Sequence, residues 1–238
     1  MSAVIVIPAR YASERFPGKP LAPILGKPMI QWVWEAAQGA QLASAVIIAT
    51  DDPQIAQVGR DFGATVVLTD ADHACGTDRV AEVARQLSAQ VIINLQGDEP
   101  LVEASHLDTL IQCLLDNETI PMATLAHIGD PALLHSTDVV KVQVDEHEHA
   151  RQFSRFAIPG APTPPLYHIG IYGYQRTSLA MIAALPRTEN EQLTSLEQVR
   201  VLDHGHTICV VTVSAWSGVG VDRPEDIARA ESALSLRR

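Results

Sequence analysis

Arg10, Arg15 and Lys19 crowd the stretch IPARYASERFPGKP, residues 7–20, in a chain whose formal charge is −11. Arginines offer forked donors, lysine a point charge, and Gly18 lets a backbone approach closely, which together match a polyphosphate. A solvated basic turn is the other reading of the same spacing. The pattern is neither GxxxxGK followed by Ser or Thr nor GxGxxG, so it is no Walker loop and no dinucleotide fingerprint. Farther along, NLQGDEP at 94–100 supplies Asp98 and Glu99. A carboxylate there suits Mg²⁺, which takes a few carboxylate oxygens plus substrate phosphates; it equally suits an acidic turn that caps the next helix. GVGVDRPED at 218–226 offers Asp222, either a second metal ligand or the N-cap of a helix opened by Pro224. Together these segments hold what metal-assisted attack on a nucleotide phosphate requires.

Those residues need a frame that gathers them. Continuous apolar runs recur at 3–7 (AVIVI), 45–50 (AVIIAT), 65–69 (TVVLT) and 90–96 (QVIINLQ), the pattern of strands buried on both faces of a parallel sheet. Helical patterns lie between them at 27–40, 52–63 and 77–88. Asp51 or Asp52 before Pro53, and Thr77 before Asp78, mark helix starts. Strict alternation predicts an α/β, doubly wound, mostly parallel sheet flanked by helices, with ligands at the carboxyl ends of its strands. After residue 119 the segments 122–128, 139–155 and 167–175 alternate more and read as further strands, some antiparallel, with an excursion within about 120–175 that offers a dimer contact. GAPTPPL at 160–166 carries three prolines and reads as a surface loop. A last strand at 207–214 and a final helix complete a single domain over residues 1–238.

Composition narrows the class. A sequence pI near 5.2 argues against a nucleic-acid partner. No apolar run approaches the roughly 20 residues of a membrane span, and a leader is not evident at the N-terminus, so no membrane partner and a cytoplasmic location are expected. Cys75, Cys113 and Cys209 are three in number without CxxC spacing, which disfavours a disulfide framework or a zinc site.

The run IPARYASERFPGKPL resembles the N-terminal signature of the sugar-nucleotide cytidylyltransferases, and among them the branch acting on 3-deoxy-manno-octulosonate (Kdo). GKPMI (26–30), ATDD (49–52), CGTDR (75–79), NLQGDEP, MATL (122–125), VVKV (139–142), FSR (153–155), HIGIYGY (168–174), LEQVRVL (196–202) and GVDRPEDI (220–227) follow in order along nearly the whole chain. The resemblance implies a nucleotidyltransferase domain over residues 1–238, built on a mostly parallel nucleotide-binding (Rossmann-like) sheet with a small dimerisation region, and a magnesium-dependent homodimer that joins CTP to an acid sugar, releasing pyrophosphate, for lipopolysaccharide biosynthesis. It implies that Arg10, Arg15 and Lys19 hold the CTP phosphates and that Pro8, Ala9, Gly76, Thr77, Arg79 and Gln96 line the cytosine and ribose pocket. Asp98 and Asp222 then take Mg²⁺, and Arg155, His168, Tyr172, Glu197 and Gln198 bind the sugar, with Arg200 near the same face. For His168 a core role in an apolar strand is the alternative reading.

The chain departs from that pattern on the sugar side. GAPTPPLY stands where a longer loop with an aromatic residue and a further arginine is usual, Thr194 replaces a common glutamate while Glu191 fits another, and Cys75 replaces a serine. Nucleotidyl transfer is thereby better supported than the identity of the sugar. An 8-amino analogue, a sialic acid, or a catalytically silent nucleotide-binding relative are the alternatives.

Overall fold

The computed structural model describes residues 2–12, 15–214, 216, 218 and 220–237. Ser13 and Glu14 of the basic stretch and Val219 of the glycine-rich segment lie outside the described residues. The first part of the chain alternates strand and helix: β1 (Ala3–Ala9), a short ribbon of β2 (Pro23–Ile24) and β3 (Lys27–Pro28), α1 (Met29–Gln38), β4 (Ala43–Thr50), α2 (Pro53–Asp61), β5 (Thr65–Leu68), α3 (Gly76–Ala84), β6 (Val91–Asn94) and α4 (Ala104–Asp116). The remainder comprises β7 (Met122–Ile128), β8 (Lys141–Val144), β9 (Ala150–Ser154), β10 (Leu166–Gln175), α5 (Arg176–Ala183), α6 (Glu189–Thr194), α7 (Glu197–Asp203), β11 (Ile208–Val213) and α8 (Asp226–Ser235).

The described strands build a nine-stranded sheet in the order β11-β7-β10-β6-β1-β4-β5, with β8 pairing β10 and β9 off that path. β1 is parallel to β4 and β6, β4 to β5, and β11 to β7, whereas β10 runs antiparallel to β6 and β7. Successive side chains of a strand point to opposite faces, and both faces here are apolar. Ala3, Ile5 and Ile7 of β1 pack with Ile30 and Val33 of α1, Ile55 of α2 and Leu107 and Leu110 of α4. Val4 and Val6 pack on the other face with Val80 and Val83 of α3, Leu179 of α5 and Val199 of α7. The continuous apolar runs are thus strands covered by helices on both sides, as the sequence predicts.

Asp52 is the N-cap of α2, accepting from the backbone N–H groups of Gln54 and Ile55, with Pro53 at the first helical position. Thr77 does not cap α3 but lies inside it; the N-cap position is Cys75, which makes no side-chain capping bond. Pro224 precedes α8 without opening it, since the helix begins at Asp226. The segment 139–155 folds into the β8–β9 hairpin, and 160–166 stays out of the sheet until Leu166 enters β10.

The chain proceeds from β1 to β4 and β5 on one side, then returns to place β6 on the other. That reversal opens a crevice beyond the carboxyl ends of β1 and β6, the position where open α/β sheets bind ligands. Pairing of β6 ends with Asn94 opposite Val6, so β1 continues past its neighbour. Pro8, which has no N–H to give a ladder, is tolerated on that unpaired edge.

Candidate active site

At the mouth of the crevice the chain leaves β1 with Arg10 exposed and folds back, the N–H of Gly18 donating to the carbonyl of Tyr11 at 2.9 Å. Gly18 has φ +69°, and a Cβ there would lie 3.3 Å from the Tyr11 ring, so the turn needs glycine on both counts. It delivers Lys19, whose Nζ lies 2.5 Å from Asp98 Oδ2 and 3.6 Å from Asp222 Oδ1. Arg15 faces Asp222 through both terminal nitrogens, at 3.3 and 3.4 Å. Asp98 follows β6 and Asp222 precedes α8; the N–H of Val221 donating to the carbonyl of Asp98 at 3.0 Å fastens the two segments together. Three segments that are far apart in sequence therefore form a compact quartet of two cations and two anions.

Both carboxylates are available for that quartet because other groups organise the turns. Asp226, not Asp222, accepts the N–H groups of Asp222 and Arg223, at 2.9 Å each. The helix after Asp98 starts beyond Glu103, which provides no side-chain cap. The capping alternatives for Asp98 and Asp222 are accordingly not what the structure contains. Glu99 lies behind them with a buried Oε2 that has no hydrogen-bond partner among the described residues. Burial, followed by repulsion from Asp98 and Asp222, pushes the Glu99 carboxyl up to about 8, against the pull of Lys19.

The donor set fits magnesium in its usual form. Among the described residues no three His, Cys, Asp or Glu side chains gather into a metal cage. Mg²⁺ needs none, being held by one or two carboxylates together with ligand phosphates and waters. Two hard carboxylates that converge on one ammonium mark a place that stabilises positive charge.

The residues assigned to the nucleotide pocket gather around the same crevice. A Cβ at Gly76 would sit 3.3 Å from Pro8 Cγ and 3.5 Å from Gln96 Oε1, so the head of α3 approaches β1 and β6 as closely as glycine allows. Ala9 is buried at the end of β1. Asn94, fully buried in an otherwise apolar strand, accepts from Gln96 Nε2 at 2.8 Å and donates to Thr77 Oγ1 at 3.3 Å. Asn94 carries a single signal in the sequence, an amide inside the run VIINLQ. Arg79 is 4% exposed and is engaged by Asp51 at 2.9 Å, Thr69 Oγ1 and the Asp70 carbonyl. It braces the turn after β5 and presents little surface of its own.

The residues assigned to the sugar divide into three groups. His168, Tyr172 and Gln198 meet at a bulge in β10, where the register against β7 jumps between Ile169 and Tyr172. Tyr172 donates to Gln198 Oε1 at 3.1 Å, and His168 lies edge-on to Phe153 and 5.5 Å from the Tyr172 ring centroid. Thr124 Oγ1 is 2.9 Å from His168 Nε2 and 2.8 Å from the Ile171 carbonyl. A hydroxyl has one proton, and the carbonyl can only accept, so the Nε2 of His168 carries the hydrogen toward Thr124. Burial lowers His168 to about 3, which keeps the ring neutral. Glu197 and Glu191 are both paired with the buried Arg200, at 3.3 Å each, and Glu197 also faces the Cys75 thiol at 3.6 Å. Arg200 is thus committed to internal ion pairs. Arg155 donates to the carbonyls of Thr194 and Thr137, at 3.2 Å each. Its backbone carbonyl is held in turn by Lys141, a buried lysine that the alternating segment VVKV gave no reason to single out.

Comparison with known proteins bears on family and fold. A family model described as cytidylyltransferase matches residues 4–208. A 3-deoxy-manno-octulosonate cytidylyltransferase of Syntrophotalea carbinolica is 44% identical, with 98% of this chain and 99% of that protein covered. An 8-amino-3,8-dideoxy-manno-octulosonate cytidylyltransferase of Shewanella sp. (strain ANA-3) is 43% identical, covering 99% of this chain and 100% of that one. A solved CMP:2-keto-3-deoxy-manno-octonic acid synthetase complexed with CTP superposes with a TM-score of 0.94 at 40% identity, over 100% of both chains.

Proposed function

The chain belongs to the cytidylyltransferase family, and from that premise we propose that it activates 3-deoxy-manno-octulosonate with CTP, giving CMP-Kdo and pyrophosphate for lipopolysaccharide synthesis in the cytoplasm, as a magnesium-dependent homodimer. In that reaction the anomeric oxygen of the sugar bonds to the α-phosphorus, the α–β anhydride bond breaks, pyrophosphate leaves, and the hydroxyl proton passes to solvent. The observation that carries the reading is the quartet of Arg15, Lys19, Asp98 and Asp222 at the sheet's reversal. Each of its members is matched to one component of a metal–triphosphate ligand. Arg15 and Lys19 would exchange their carboxylates for phosphates, with Arg10 beside them, and so stabilise charge on the leaving pyrophosphate. Asp98 and Asp222, relieved of those cations, would hold Mg²⁺. The chemistry that the metal supplies when bound is neutralisation of phosphate charge and a lowered pKa for the sugar hydroxyl. Pro8, Ala9, Gly76, Thr77 and Gln96 would orient the base and ribose.

On the sugar side, Arg155 would pair with the carboxylate of the acid sugar, while His168, Tyr172, Glu197 and Gln198 would meet its hydroxyls. Neutral His168 has its Nε2 hydrogen directed to Thr124, which leaves Nδ1 as an acceptor. The test is pyrophosphate release from CTP, ATP, GTP and UTP with Kdo and with its 8-amino analogue. CTP with Kdo is expected to give the highest kcat/KM. Preference for the amino sugar would move the chain to the specificity printed in the name of the Shewanella relative, and no release with either acid would overturn the proposal.

A further inference from the structure

Cys113 lies near the end of α4 and Cys209 near the start of β11, with their sulfur atoms 3.7 Å apart. Both sit on regular elements. Cys209 pairs with Ala123 of β7 and bridges to His149 of the hairpin turn, so its backbone is fixed on two sides. The two thiols share the wall of an open cavity of about 490 Å³, with Asp108 and Gln112 of α4, Val211 of β11 and Glu148 of the hairpin turn. Cys113 is half-buried at this wall and Cys209 is buried behind it. A small oxidant therefore reaches one sulfur first and finds the other within reach of it. The adjacent Cys209 thiol draws Cys113 below the ordinary thiol range and is itself pushed upward by the same contact and by burial.

We propose that Cys113 and Cys209 form a redox-modification site that closes to an intramolecular disulfide under a hydroperoxide and reopens under a dithiol. The Cys113 thiolate attacks one peroxide oxygen, the O–O bond breaks, and with hydrogen peroxide one water leaves after protonation, giving a sulfenic acid. Cys209 then attacks that sulfur; the S–S bond forms and the hydroxyl departs with a proton as a second water. Two thiols lose two electrons and two protons, and the peroxide gains them. The sulfurs must close from 3.7 Å to about 2.05 Å. Cys75 is the internal contrast: burial and then Glu197 push its thiol up to about 12, so it supplies little thiolate. The cross-link would tie positions 96 residues apart, at the end of α4 remote from Asp98, and so restrain the unfolded chain without touching the phosphate-binding loop.

The experiment treats the full chain with a small excess of hydrogen peroxide, alkylates remaining thiols in denaturant, and maps peptides with and without dithiothreitol. The expected result is a Cys113–Cys209 linked peptide in the monomeric chain, an alkylated Cys75, a raised thermal midpoint and full reversal by dithiothreitol. In Cys209→Ser, Cys113 is expected to stop at a sulfenic acid that dimedone traps. Alkylation of both Cys113 and Cys209 after treatment, linkage between chains, or linkage through Cys75 would each overturn the proposal. The wild-type map decides the question alone if the variant does not fold.

Discussion

Replacing Lys141 by Met is expected to loosen the sugar-binding side and leave the nucleotide edge intact. Lys141 is 2% exposed, and its ammonium donates to the carbonyls of Ser136, of Val139 at 2.8 Å and of Arg155 at 2.8 Å, so each of its three protons has a partner. Met keeps the length and the apolar stem but donates nothing. Hydrogen bonds to a charged group contribute about 1.5–3 kcal/mol each, while removing a buried ammonium returns several kcal/mol of desolvation, which leaves a net loss of about 2–4 kcal/mol. For a chain of this size, at about 2–4 °C per kcal/mol, the thermal midpoint falls by about 5–15 °C. The same carbonyls fix the backbone on either side of the Arg155 guanidinium, which itself donates to Thr137 and Thr194. Loss of its aim should raise KM for the sugar acid about tenfold, equivalent to about 1.4 kcal/mol, with KM for CTP unchanged. Thermal melts and initial rates of pyrophosphate release, varying each substrate in turn, measure both quantities. A midpoint unchanged from wild type together with an unaltered sugar KM would refute the reasoning, and an equal rise in both KM values would refute the separation of the two sides.

Two further outcomes follow from the same geometry. His168, held down to about 3, stays neutral in the fold while an unfolded imidazole protonates below about 6.5. Its folded pKa is the lower one, so the associated stability is complete above pH 6.5 and is lost as pH falls toward 3, by up to about 1.4 kcal/mol per pH unit. The groups facing it, Thr124, Phe153 and Tyr172, carry no charge in that window. His168→Gln should flatten the difference in urea midpoints between pH 7 and 4.5, and identical slopes in the two proteins would contradict the assignment. Gly18→Ala places a Cβ at φ +69°, at a cost of about 1–2 kcal/mol, and displaces the loop that presents Lys19. Its KM for CTP should rise well above that for the sugar, whereas an unchanged KM for CTP in a melted-loop variant would remove the loop from phosphate binding.

The parts of the fold that were legible in the sequence are those in which local pattern and tertiary role coincide. Runs such as AVIVI are apolar on both faces because helices cover both, and Asp52 before Pro53 caps where capping chemistry predicts. Asp98 was legible as a carboxylate just beyond a buried strand, whereas Lys19 sits in a short 3-10 turn and Asp222 in the segment between β11 and α8, and the mutual contact of the three required the reversal between β1 and β6. Residues whose role depends on an unusual environment were not legible. Lys141 looks like a solvent-facing position of an alternating strand, and only the three carbonyls around it explain its burial. The buried Arg200 pairs with the buried Glu191 and the partly exposed Glu197 across the short helices α6 and α7, whose apolar periodicity is too brief to announce a helix. The β10 bulge that directs His168 and Tyr172 arises from strand pairing, and no local signal specifies it.

The most direct measurement of the central claim is the initial rate of pyrophosphate release from CTP and Kdo, with Mg²⁺ present, by Asp98→Asn compared with wild type. A carboxylate that holds the metal accounts for several kcal/mol of transition-state stabilisation, so the rate should fall about a thousandfold or more, with an unchanged circular dichroism spectrum. A rate close to that of wild type in the folded variant would show that Asp98 serves only to hold Lys19, and would contradict the account.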